Sequence, residues 1–154
     1  MTEIAGGRRS KSEVYLHLVW TTRHRVPLLV DPAEAPIHRT LEATAKRLGC
    51  VVMALNGTVD HVHVLVMIPP SVSGDELIHH LWADSETVAR EIPGLEDFEW
   101  GESYGVFSVS RSHVKRVMAY LLEQKRAHET GAIWPEWEET DEEAPEEDAW
   151  KTLL

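Results

Sequence analysis

The segment that most restricts the fold is Val51-Val52-Met53-Ala54-Leu55, then Asn56-Gly57, then Val59 to Ile68, closed by Pro69-Pro70. Two runs rich in β-branched residues on either side of Asn-Gly predict a β-hairpin. A lone hairpin does not stand in water, so further strands and a covering layer must come from the rest of the chain. Upstream, Glu13 to Thr22 reads as another strand, apolar on both faces, as a central strand covered on both sides would be. Downstream, Tyr104 to Val109 reads as a short fourth one.

Helices fill the gaps. Asp31-Pro32-Ala33-Glu34 predicts a capped start, with Ile37, Leu41, Thr44, Ala45 and Leu48 on one face and Gly49 as the stop. Ser73-Gly74-Asp75-Glu76 is a capping box for a second helix ending before Pro93. Ser110 or Ser112 is placed to cap a third, running to about His128. The order is βαββαβα. It predicts an α+β fold, a ferredoxin-like βαββαβ sandwich with an added C-terminal helix.

Charge divides the chain. The formal net charge is −11, which by itself opposes a nucleic-acid partner. From Glu136 to Leu154, however, nine carboxylates face one lysine, a charge of −8; the remaining 14 basic and 17 acidic residues leave −3 for 1–135. Residues 1–12, with Gly6-Gly7, Arg8, Arg9 and Lys11, predict a flexible basic arm, 13–130 the folded domain, and 131–154 a disordered acidic tail. The tail is placed either to mimic DNA over basic groups or simply to solubilise. No apolar run is long enough for a membrane span, no secretory leader is evident, and the single cysteine, Cys50, rules out an internal disulfide and a cysteine-type zinc site. The expectation is a cytoplasmic protein.

The chemistry begins at Asp60-His61-Val62-His63. On a strand, side chains alternate faces, so His61 and His63 project together while Val62 and Val64 enter the other layer. Two imidazoles so placed can share a divalent cation, although the motif is short and also suits polar residues on a half-exposed strand. A third ligand is needed. The last helix carries an apolar stripe, Val114, Val117, Met118 and Leu121, and at its margin Tyr120 and Gln124, four residues apart. A tyrosine there is ordinarily a core-margin residue; the functional reading is a phenol nucleophile beside an amide oxygen that completes a metal site. That oxygen suits a hard cation such as Mg²⁺ or Mn²⁺, and Mn²⁺ tolerates the imidazoles.

Asp60-His61-Val62-His63-Val64-Leu65-Val66, Gly105-Val106-Phe107-Ser108-Val109-Ser110 and Tyr120-Leu121-Leu122-Glu123-Gln124 together resemble the small single-tyrosine HUH transposases. The likeness is closer to their REP-associated branch, through His17-Leu18-Val19-Trp20-Thr21-Thr22-Arg23-His24-Arg25, and spans roughly residues 13–130. The resemblance implies a transposase or endonuclease that acts on single-stranded DNA, often beside a hairpin. His61 and His63 would bind the metal with Gln124, and Tyr120 would attack phosphorus to form a 5′-phosphotyrosyl link. It also implies either a homodimer that exchanges the tyrosine helix or a monomer with the helix packed in cis.

The second helix departs from the pattern. Family members usually carry a lysine followed by serines there, whereas this chain reads Leu81-Trp82-Ala83-Asp84-Ser85-Glu86; the preceding His79 and His80 read as ordinary exposed residues. Arg8, Arg9, Lys11, Arg23, Arg25, Arg111, Lys115 and Arg116 remain to hold DNA. The acidic charge and this helix support an alternative, a domesticated, non-catalytic nucleic-acid-binding or regulatory protein that keeps the fold.

Overall fold

In a computed structural model, the structure describes residues 2–4, 8–131 and 135. The strands are β1 (Thr2–Ile4), β2 (Arg8–Ser10), β3 (Val14–Thr22), β4 (Val51–Gly57), β5 (His61–Ile68) and β6 (Trp100–Val109). The helices are α1 (Glu34–Arg47), α2 (Gly74–Arg90), α3 (Val114–Leu122) and α4 (Gln124–Thr130). From β3 onward the order is the expected βαββαβ followed by helix.

The main sheet runs β4-β5-β3-β6, antiparallel throughout. This is the ferredoxin-like order, in which each of two β-α-β units contributes one central strand. The alternation of β3 and β5 sorts the layers. Leu16, Leu18 and Trp20 pair with Val66, Val64 and Val62 and face α1 and α2, in a core that includes Leu29, Ile37, Leu41, Leu77, Ile78, Leu81 and Trp100. Burying each such side chain contributes about 1.5–3 kcal/mol, so this layer carries most of the fold. The opposite face holds Leu65 and Ala54 against Val114, Val117, Tyr120 and Leu121 of α3. On that thinner side the sheet also buries His17, His61 and His63. The central strand is covered on both faces, as its sequence implies.

Several local expectations change. Helix α1 opens at Glu34 behind Ala33, without a side-chain cap, because a turn at Val30 intervenes in place of the predicted Asp31 cap. The Ser73 cap is present, its side chain accepting from Glu76 N at 3.1 Å. The last helix is interrupted at Glu123 (φ −98°, ψ 15°), so Tyr120 and Gln124 stand on two helices rather than one. Neither Ser110 nor Ser112 caps α3; a short turn over Arg111–His113 precedes it and His113 takes the N-cap position.

The hairpin turns later than Asn56-Gly57 suggests, with Val59 and Asp60 at its centre. Gly57 still pairs with Val62, and Thr58 N donates to His61 O at 3.0 Å across the loop. The glycine is required for closeness: a Cβ there would lie 2.1 Å from His61 O. Within the expected basic arm, 1–12, the backbones of β1 and β2 pair antiparallel in a ribbon separate from the main sheet, Thr2 opposite Ser10. Apart from Gly131 and Pro135, the acidic segment 131–154 lies outside the described residues. No helix among the described residues is long and apolar enough to cross a membrane.

Candidate metal centre

Strand β5 delivers His61 and His63 to the face that α3 and α4 cover. His61 is 3% exposed, His63 and Gln124 are fully buried, and Tyr120 is 8% exposed. The sheet side and the helix side therefore meet in one chain. The Tyr120 ring stands edge-on to His63, centroids 6.1 Å apart, so within this chain the two sides come together in cis.

Both strand histidines are held by Nδ1. For His61, Asp60 Oδ1 and Thr58 Oγ1 each lie 2.8 Å from Nδ1. A carboxylate only accepts, so Nδ1 carries the proton and Nε2 the lone pair in the neutral ring. Nε2 then faces Gln124 Oε1 at 3.2 Å. Two electron-pair donors so close suit a shared cation, and a carboxylate behind the far nitrogen is a common support for a metal-binding histidine. For His63, Nδ1 lies 2.8 Å from His17 Nε2, with the two rings stacked at 5.0 Å. Donation from His63 Nδ1 to His17 leaves Nε2 as its ligand nitrogen.

Asp60 is itself anchored. Its carbonyl accepts from Thr22 N at 2.8 Å, and Arg25 stands 3.9 Å from its carboxylate. Burial pushes the carboxyl up, but hydrogen bonds from His61 and Thr58 and the charge of Arg25 together bring it below the ordinary aspartate value. It stays ionised, as support for His61 requires.

His61, His63 and His128 form a triad whose ligand nitrogens all lie within 4.8 Å of one another. The donor set fits a divalent ion: three imidazoles, an amide oxygen beside one of them, and tied outer nitrogens. His17 and His128 had no part in the sequence-based site. His17 is hidden in an apolar strand, and only the β3–β5 register, Val19 opposite His63, brings it near. His128 follows Gln124 by four residues, a spacing that a helical reading extended one more turn would have found.

A cleft of about 530 Å³ opens beside the phenol, lined by Arg116, Ala119, Tyr120, Glu123, Arg126, Ala127 and Thr130. Of the cations expected to hold DNA, Arg116 alone lines it; Lys115 and Lys11 are exposed elsewhere. Arg23 is paired with Glu99, and Arg111 donates from Nε to Glu13 at 2.7 Å. Arg8 and Arg9 belong to β2. Asp84, the acid where a base was expected, has structural partners: Thr44 Oγ1 and Arg47 both donate to it at 2.8 Å, joining α1 to α2. The adjacent Ser85 is buried, accepting from Trp100 Nε1 at 2.8 Å. This stretch of α2 locks helices together on the far side of the sheet from the histidines.

Fold and site together define a ferredoxin-like domain with a histidine cluster able to hold a metal, two of its three members buried, and a tyrosine at its margin. Residues 10–124 match the family model described as "Transposase IS200 like". The chain belongs to the IS200-like transposase family, a family of DNA-processing enzymes. The ISDra2 transposase TnpA of Deinococcus radiodurans is 24% identical over 128 residues, covering 79% of this chain and 91% of that protein. A crystal structure of a putative transposase from the same organism superposes with a TM-score of 0.61 at 24% identity, covering 79% of this chain and 98% of that one. The structure of a REP-associated tyrosine transposase bound to a REP hairpin superposes with a TM-score of 0.59 at 12% identity, covering 88% and 81%.

Proposed function

We propose that this protein is a metal-dependent transposase that cuts and rejoins single-stranded DNA through Tyr120, at sites next to a hairpin. The observation that carries the reading is the convergence in one chain of His61, His63 and Gln124 with Tyr120 at their edge, in a member of the IS200-like family. The hairpin preference is drawn from the REP-associated relative, whose structure holds one.

His61, His63 and Gln124 would hold Mg²⁺ or Mn²⁺, which when bound neutralises charge developing on the scissile phosphate. The Tyr120 oxygen loses its proton and attacks phosphorus; the bond from phosphorus to the 3′ oxygen breaks and that oxygen takes up a proton. The products are a 5′-phosphotyrosine and a free 3′-hydroxyl. Attack by another 3′-hydroxyl reverses the step and releases Tyr120, so strands rejoin without ATP because the covalent link conserves the phosphodiester bond. Arg116, which lines the same cleft as Tyr120, would receive the phosphate. The other basic candidates, Arg8, Arg9, Lys11, Arg23, Arg25, Arg111 and Lys115, belong to a looser positioning surface. The cis geometry favours a working monomer over a helix-exchanged homodimer. A cytoplasmic place of action follows from DNA as substrate.

Incubation with hairpin-bearing single-stranded DNA and Mn²⁺ tests the reading: cleavage is expected, lost in Tyr120→Phe and on chelation. The ion-paired state of Arg23 and Arg111 and the charge of −11 favour the second reading, a non-catalytic DNA-binding protein. That reading predicts hairpin binding without cleavage under any metal condition.

A further inference from the structure

The stripe that carries Tyr120 and Gln124 has a third member. His128 follows in α4, so the three recur at every fourth residue toward the histidines of β5. Its ring centroid lies 4.6 Å from that of His61, tilted by 57°, closer than the 5.1 Å between His61 and His63. Its ligand nitrogen shares the 4.8 Å cluster with both. Unlike His61 and His63, His128 is not buried, so filling space does not account for its ring nitrogen lying in that cluster.

We propose that His128 is a direct ligand of the bound cation, making a three-imidazole, one-amide donor set that selects a transition-metal ion over Mg²⁺. The inference rests on the reading of His61 and His63 as metal ligands. Its basis is donor chemistry. Mg²⁺ prefers oxygen donors and gives up water reluctantly, whereas imidazole nitrogen suits Mn²⁺ modestly and Co²⁺, Ni²⁺ or Zn²⁺ better. Two imidazoles with an amide oxygen leave the choice open. A third imidazole tips it toward nitrogen-loving ions. The outer support is of the same kind: Asp60 on His61 and His17 on His63 raise ligand basicity, which strengthens bonds to such ions.

The test uses Co²⁺ as the probe on the full chain, reading affinity and the visible d–d spectrum, with Mg²⁺ as competitor. The wild type is expected to bind Co²⁺ with a nitrogen-rich spectrum that excess Mg²⁺ does not displace. His128→Phe keeps a ring against His61 and removes only the nitrogens. It is expected to lose Co²⁺ affinity by at least the roughly 10- to 100-fold that loss of an outer-sphere partner costs, to change the spectrum, and to become displaceable by Mg²⁺. His128→Ala should match it, which separates ligation from packing. Should His128→Phe keep wild-type affinity and spectrum while His61→Ala loses both, the inference is overturned and the His61–His63 site stands. Should the wild type bind no Co²⁺, both fail.

Discussion

Replacing Asp60 by alanine removes the charge behind His61 without touching a proposed ligand. Asp60 Oδ1 is 2.8 Å from His61 Nδ1 and accepts from Thr58 Oγ1 at 3.2 Å, so the carboxylate fixes both the tautomer and the ring's direction. The main-chain bond from Thr22 N to Asp60 O survives the substitution, so the hairpin tip stays in place. Outer-sphere partners of metal-binding histidines are worth about 10- to 100-fold in affinity. Thr58 Oγ1 remains 2.8 Å from Nδ1 as a substitute acceptor, which puts the single variant at the lower end, about tenfold or 1.4 kcal/mol. With Thr58→Ala added, both of these side-chain partners of Nδ1 are gone, and the loss should approach about 100-fold. Electron paramagnetic resonance of free Mn²⁺ during titration measures this directly. Unchanged Mn²⁺ affinity in the double variant would refute the claim that this loop orients a metal ligand.

Gly57→Ala would drive a Cβ to within 2.1 Å of His61 O and force the hairpin open; a loss of about 3 kcal/mol is expected from urea denaturation, and a neutral result would contradict the tight pairing. Asn56→Ala removes the bond from Nδ2 to Leu122 O (3.1 Å) and the acceptor of Lys125 Nζ (3.0 Å), costing about 1–2 kcal/mol; hydrogen exchange should speed up across 114–130 while the α1 and α2 core stays protected. Burial pushes His38 below its ordinary value of 6.5, against the smaller opposing influence of Glu34. The unfolded chain then binds the extra proton first, so stability is full above about pH 6.5 and falls as pH drops toward the folded value. His38→Gln should flatten that slope in denaturation midpoints between about pH 5 and 7.

Much of this architecture could be read from the sequence, because its signals are local. The Ser73 capping box, the β-branched runs beside Asn56-Gly57 and the i, i+3, i+4 stripe of α3 each depend on near neighbours, and the sheet order follows once the elements are in place. The pairing of His61 with Gln124 was accessible for the same reason: strand alternation fixes one face and helical spacing the other. What stayed hidden depends on register and distant partners. His17 becomes part of the site only through strand pairing. Arg23 and Arg111 lose their freedom to Glu99 and Glu13, 76 and 98 residues away. Asp84 looked like a lost phosphate grip and is a helix clamp, since Arg47 and Thr44 come to it from α1. The break at Glu123 has no glycine or proline to announce it.

The role of Tyr120 is tested most directly by mass spectrometry of the protein after incubation with hairpin-bearing single-stranded DNA and Mn²⁺. The expected result is a peptide containing Tyr120 that carries the 5′-phosphate end of the cleaved strand, absent from Tyr120→Phe and from samples treated with chelator. An adduct on any other residue, or cleavage undiminished in Tyr120→Phe, would contradict the assignment.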